Sequence, residues 1–196
     1  MNKNRQSIRL KNYNYSQSGM YYITICTQNR ECIFGDVVGA HHDAPVPKMV
    51  LNEMGKIIKN IWESLPDHHP VKLDAFQIMP NHVHFVLAIL SPCRGIARNA
   101  PTIGNAPTIG NAPTFGNVTA GSLPCVIRAF KSECTKQIHI GSPNIRIWQR
   151  NYYEHIIRTE FDLNKIRKYI KINPQMWDRD RNNPKSSAQI KTLYYE

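Results

Sequence analysis

Apolar and polar residues change their period several times along this 196-residue chain, and each change marks an expected element. Residues 20 to 27, Met-Tyr-Tyr-Ile-Thr-Ile-Cys-Thr, are mostly β-branched or aromatic and predict a first strand, ended by Gln28-Asn29-Arg30. The stretch from 35 to 47 contains Gly39, Pro45 and Pro47 and reads as a loop. Val50, Met54, Ile57, Ile58, Ile61 and Leu65 then recur at helical spacing, predicting an amphipathic helix closed by Pro66. Two strand-like runs, 71 to 79 and 82 to 90, flank Pro80-Asn81 as a hairpin. Ser122 is placed to cap a helix with an apolar stripe of Leu123, Val126, Ile127, Phe130, Cys134 and Ile138, and Ile145 to Trp148 reads as a last strand. A final helix starts near Thr159 with Asp162 as capping-box partner, carries Leu163, Ile166 and Ile170, and stops at Pro174. The order β-α-β-β-α-β plus a C-terminal helix predicts an α+β, ferredoxin-like (RRM-like) antiparallel sheet.

Between the hairpin and the capped helix, Ala-Pro-Thr-Ile-Gly-Asn occurs at 100–105 and 106–111, followed by Ala-Pro-Thr-Phe-Gly-Asn at 112–117. Three such hexapeptides are too few to stack a solenoid core, so residues 91 to 120 are expected to be a low-complexity insertion in a single domain spanning 1 to 196. A flexible tail is expected from about residue 180. Lys plus Arg number 25 against 14 Asp plus Glu, a formal charge of +11, which favours a polyanionic partner and makes nucleic acid the first candidate. No run of about 18 apolar residues is present, and Met1 to Arg5 lead into polar sequence with no apolar signal core, so a cytoplasmic protein is expected. The five cysteines are odd in number and form no CxxC pair, which suits free thiols.

Candidate chemistry centres on His82-Val83-His84. Alternate residues of a strand share a face, so the two imidazoles would converge while Val83 and Phe85 pack on the other side. Polar rings in a run that is otherwise apolar to Leu90 are costly unless something binds them. Tyr169 and Asn173, four residues apart on the last helix, would share a face, so that a phenol and an amide oxygen could reach the same ion. Lys165, Arg167, Lys168 and Lys171 surround Tyr169 with no acidic residue from 163 to 172, an environment expected to hold a phosphate and to favour the phenolate. Arg5, Arg9 and Lys11 belong to an acid-free basic N-terminal arm suited to a nucleic-acid backbone. Tyr152 and Tyr153, beside Glu154 and His155, are the rival nucleophiles, and Trp148 could stack on a base.

These residues, with Ser7-Ile8-Arg9-Leu10-Lys11, Tyr21 to Arg30, Met79 to His84, Ile127 to Ser132, Trp148 to Arg158 and Tyr169-Ile170-Lys171-Ile172-Asn173-Pro174, resemble in order the HUH single-strand DNA transposases, most closely the REP-associated tyrosine transposases. The resemblance implies that the C-terminal helix carries Tyr169 as nucleophile, that His82, His84 and Asn173 are metal ligands, and that the substrate is single-stranded DNA bearing hairpins. A mixed nitrogen and oxygen ligand set suits Mg²⁺ or Mn²⁺. The implied reaction cuts and rejoins DNA through a 5′-phosphotyrosine, in a protein that is a monomer or a homodimer; the basic arm is implied to read a guide tetranucleotide. The alternatives are a noncatalytic nucleic-acid-binding module on the same fold and a metallohydrolase that uses activated water.

Overall fold

A computed structural model describes residues 13–39, 46–90 and 121–186. Four strands make the main sheet in the order β4 (Val71–Met79), β5 (His82–Ile89), β1 (Gly19–Cys26), β6 (Tyr153–Ile157), every neighbouring pair antiparallel. Helices α1 (Glu53–Glu63) and α3 (Leu123–Gly141) supply the crossovers, which makes the expected ferredoxin-like arrangement. The Pro80-Asn81 hairpin forms between β4 and β5, pairing Met79 with His82.

Period-2 alternation divides the sheet into two chemically different faces. Tyr21, Ile23 and Ile25 of β1 and Val83, Phe85 and Leu87 of β5 point to one side, where Ile58, Ile61 and Trp62 of α1 and Leu123, Val126, Ile127 and Phe130 of α3 complete the main core. The other side carries Tyr22, Val86 and Ile157, covered by Leu163 and Ile170 of α4 (Glu160–Ile172). His82, His84 and Thr24 share this second face.

A β-bulge in β4 fits α4 to the sheet. The register passes from Leu73↔Leu87 to Phe76↔Phe85, so Asp74 and Ala75 together oppose Val86. Ala75 packs into the small cluster under α4, while Asp74 takes a forked pair from Arg167, Nε to Oδ1 at 2.8 Å and Nη2 to Oδ2 at 2.6 Å.

Several expectations are corrected. The segment from 35 to 47 is not all loop, because β2 (Gly35–Val38) pairs with β3 (Lys48–Leu51), and Val50 lies in β3 instead of opening the helix. The glycine at 35 is required: its φ is +132°, and a Cβ there would meet the Val50 carbonyl oxygen at 2.1 Å. Helix α1 ends before Pro66, which sits in the first turn of a four-residue helix, α2 (Leu65–His68). Ile145 to Trp148 do not form the last strand of the sheet; Trp148 makes a single bridge to Thr27, and the strand that pairs with Met20 to Thr24 is β6. Thr159 caps α4 by accepting from the Asp162 N–H, but the Asp162 carboxylate faces His155 Nε2 at 2.8 Å instead of completing a box. Ser122 occupies the N-cap position of α3 without its side chain capping a first-turn N–H.

Pro174 ends α4 as an α-helix, but the chain continues as a 3-10 turn, Asn173 to Arg179, and folds back so that Asp180, Asn182 and Asn183 are buried. A tail from residue 180 is therefore replaced by an anchored strap as far as 186. The repeats, and with them the proposed insertion at 91 to 120, lie outside the described residues, as do Arg5, Arg9 and Lys11. Among the described residues, no helix is long and apolar enough to cross a membrane, and the cysteines at 26, 32, 125 and 134 are free thiols.

Candidate active site at the histidine strand

The register of β1 on β5 sets Thr24 directly opposite His84 and Cys26 opposite His82. Both imidazoles are buried, with His82 at 0 % and His84 at 2 % exposure. His82 Nδ1 lies 2.8 Å from Asn81 Oδ1, and His84 Nδ1 lies 2.9 Å from both the Tyr22 hydroxyl and Thr24 Oγ1, so the outer nitrogens are held by neighbours. The two Nε2 atoms face each other at 3.0 Å. Ligands about 2.1 Å from one ion and about 90° apart lie about 3.0 Å from each other, so this spacing fits two ligands of a single cation. Burial pushes the pKa of His82 down to about 3, with Arg181 and Arg30 adding to the effect, and burial followed by the neighbouring His82 lowers that of His84 well below the usual value. Both rings are neutral at pH 7 and can donate a lone pair.

Two oxygen groups complete the neighbourhood. Asn173, placed by the turn that follows α4, is 2 % exposed, and its Oδ1 is buried without a hydrogen-bond partner. An orphaned carbonyl oxygen of this kind costs free energy unless a cation or donor meets it. Asp180, on the returning strap, holds Oδ2 3.8 Å from His82 Nε2 while Oδ1 accepts from the Asn182 N–H at 2.6 Å. His82, His84 and Asp180 form a group able to hold a metal ion, with ligand atoms within 4.8 Å of one another. Among the described residues the buried Asp180 carboxylate makes no ion pair with an arginine or lysine, so a divalent ion between it and the two neutral imidazoles would give it a direct partner.

Asp180 was not evident in the sequence. It sits in an Asp-Arg-Asp-Arg run, where Asp178 is exposed and Asp180 is buried, and only the strap separates them. That strap is tied down by Asn81 Nδ2 donating to the Asn182 carbonyl at 2.7 Å and by Arg30 Nη1 donating to the Arg181 carbonyl at 3.0 Å.

Tyr169 is 44 % exposed, and its ring centroid lies 5.4 Å from that of His84 and 6.3 Å from that of Tyr22. The phenolate is not favoured as its sequence neighbours suggest. Partial burial raises the pKa of Tyr169 first and the Asp180 carboxylate raises it further, against smaller lowering from Arg181, Asn173 and Tyr22. Lys165, Lys168 and Lys171 are exposed on α4, whereas Arg167 is engaged with Asp74 and Glu160. Of the rival tyrosines, Tyr153 is half-exposed on β6, with its ring edge-on to Tyr22 at 6.1 Å. A groove of about 1130 Å³ runs past Tyr169 and Asn173 and is lined by Arg30, Arg179 and Arg181 together with Tyr152, Tyr153 and Met176.

No protein-family model matches the chain. A Haemophilus influenzae protein described as a "Putative REP-associated tyrosine transposase" is 25 % identical over 167 residues, covering 84 % of this chain and 76 % of that one. A solved structure of a REP-associated tyrosine transposase bound to a REP hairpin superposes with a TM-score of 0.53 at 16 % identity, covering 85 % of this chain and 72 % of the other, which shows a shared fold. A further Haemophilus influenzae protein, described only as uncharacterized, is 39 % identical over 178 residues, which are 90 % of this chain and 92 % of its relative. At that identity across nearly the whole of both sequences, this chain and the uncharacterized Haemophilus influenzae protein belong to one family.

Proposed function

We propose that the protein is a REP-associated tyrosine transposase of the HUH type, cutting and rejoining single-stranded DNA next to hairpins. The observation that carries this reading is the half-exposed Tyr169 phenol, which lines an arginine- and tyrosine-bearing groove with Asn173 and Asp180 and packs on His84, whose Nε2 lies 3.0 Å from that of His82. The groove has the two elements that single-strand binding requires, cations for the backbone and aromatic faces for bases. Similarity to the relative described as a REP-associated tyrosine transposase, and the fold shared with the hairpin-bound structure, support it.

His82, His84, Asn173 and Asp180 would hold the ion, Mg²⁺ or Mn²⁺, which when bound supplies positive charge to polarise a nonbridging phosphate oxygen. Arg30 and Arg181 would hold the backbone on either side of the scissile phosphate, and Lys165, Lys168 and Lys171 would extend that contact along α4. Tyr169 Oη attacks phosphorus, the bond to the 3′ oxygen breaks, and the phenol proton is given up as the departing oxygen becomes a 3′-hydroxyl. A 5′-phosphotyrosine remains. The phosphodiester energy is retained in that bond, so an incoming 3′-hydroxyl can reverse the step without ATP.

Incubating the protein with labelled hairpin DNA and Mn²⁺ should yield a protein–DNA species that survives denaturation. Tyr169→Phe should abolish it with binding nearly unchanged, whereas Tyr153→Phe should retain it. An adduct that persists in Tyr169→Phe and vanishes in Tyr153→Phe would reverse the assignment, and cleavage with no adduct at all would favour activated water.

A further inference from the structure

A second cationic cleft, separate from the histidine centre, lies where the C-terminal half of α3 meets residues 144 to 150. It encloses about 660 Å³, and Lys131, Lys136, His139, Arg146 and Arg150 line it with no carboxylate among its lining residues. Lys136 pairs with the half-exposed Glu133 at 3.8 Å, whereas the exposed Arg146 and Arg150 have no ion-pair partner among the described residues. The walls are clamped at both ends. Lys131 Nζ donates to the Gln149 carbonyl at 2.5 Å and to that of Arg150 at 3.3 Å, while His139 Nε2 meets the Ile145 carbonyl at 2.8 Å. These clamps fix the backbone that carries Arg146 and Arg150, so binding does not have to order the segment itself.

The cleft adjoins the active-site groove, and Gln149 lines both. Residues 147 to 149 run beside the end of β1, through Gln28 N–H to the Ile147 carbonyl at 2.7 Å and Gln149 N–H to the Cys26 carbonyl at 3.0 Å. The cleft differs from the groove in what it offers a ligand. The groove carries half-exposed tyrosines, whereas the one aromatic lining the cleft, Trp148, is 7 % exposed and packed against Phe34 and Phe130. Single strands bind on stacking faces plus charge, while duplex backbone is held by charge and hydrogen-bond donors alone.

We propose that this cleft holds the sugar-phosphate backbone of the DNA duplex stem while the adjoining single strand enters the groove. This rests on the function proposed above for its DNA partner, but binding of a stem does not require chemistry at Tyr169. The test uses a fluorescently labelled hairpin with a stem of about one helical turn, about 10 base pairs, and a single-stranded tail, beside the tail strand alone. The full-length Arg146→Glu/Arg150→Glu protein should bind the stem-bearing probe about tenfold more weakly, with a salt slope reduced by about two, because two phosphate contacts are lost. Arg146→Gln/Arg150→Gln should lie in between, and binding of the tail strand alone should be unchanged in both. Equal weakening for the two probes, or unchanged affinity for the stem-bearing probe in both variants, would overturn the proposal. Loss of stem affinity in a protein that forms no Tyr169 adduct would uphold the cleft and sink the enzymatic reading instead.

Discussion

His82 and His84 are an unusual pair, since each is buried, neutral and within hydrogen-bonding distance of the other. The folded-state pKa of His82, about 3, lies below its ordinary value of 6.5, and that of His84 is also depressed, so from pH 6.5 downwards the unfolded chain binds protons that the native chain refuses. Stability is then full above about pH 6.5 and falls on acidification, by up to about 1.4 kcal/mol per pH unit for each histidine. Urea midpoints measured from pH 7 to pH 4 should show this decline, with a shallower slope in His84→Gln; a flat profile would mean that the rings are not buried neutral. Asp180 supplies the only carboxylate in the metal-ligating group found among the described residues. Asp180→Asn is nearly isosteric and should weaken Mn²⁺ binding at least tenfold by calorimetry, with the fold intact by circular dichroism. Unchanged Mn²⁺ affinity would remove Asp180 from the ligand set. The histidines were legible as a pair because strand alternation is local, and the shared side of Tyr169 and Asn173 was legible from their four-residue spacing. Asp180 was not, since nothing in its neighbours distinguishes it from Asp178.

At the scale of elements, the tyrosine helix is located by the bulge in β4. Two residues opposing one turn both Asp74 and Ala75 toward α4, and the Asp74–Arg167 fork then holds the helix one half-turn from Tyr169. Arg167 was expected on DNA from its place in a run of basic residues, but its partner is 93 residues away in sequence and became visible only in the fold. Asp74→Ala should therefore depress adduct formation several-fold while changing hairpin affinity by less than twofold, because it loosens the position of the phenol without removing a phosphate contact. Single-turnover cleavage measured beside fluorescence anisotropy separates the two effects, and an unchanged cleavage rate would show that α4 is positioned by its apolar stripe alone. The stripe itself, with Leu163 and Ile170 buried, was readable from 3.6-residue periodicity. The β2–β3 pair was missed because short strands joined through Gly39, Pro45 and Pro47 carry turn signals stronger than their own four-residue patterns.

At the scale of the whole molecule, both ends of the repeat-bearing segment are brought to one place. Leu90 N–H donates to the Pro70 carbonyl at 2.8 Å, and a Cβ on Gly121 would lie 3.6 Å from Pro70 Cγ, so the chain leaves and re-enters the fold beside the same residue. Replacing residues 99 to 119 by a short Gly-Ser linker is expected to leave cleavage near wild type and to shift stability by about 1 kcal/mol or less, since loop length contributes only about 0.6 kcal/mol per doubling. A larger loss in thermal melts, or lost cleavage, would show that the repeats pack on the domain or meet the substrate. The sequence by itself determined the α+β class with its central hairpin, the pairing of the histidines, the amphipathic faces of the helices and the net charge of +11, because each depends on neighbours a few residues apart or on composition. Tertiary structure alone decided which strand fills the sheet edge, that residues 180 to 186 return over the histidines, that Arg167 is spent on Asp74, and that burial and Asp180 raise the Tyr169 pKa while its lysines face outward. Those outcomes depend on distance, desolvation and charge between groups far apart in the chain, quantities that local pattern does not encode.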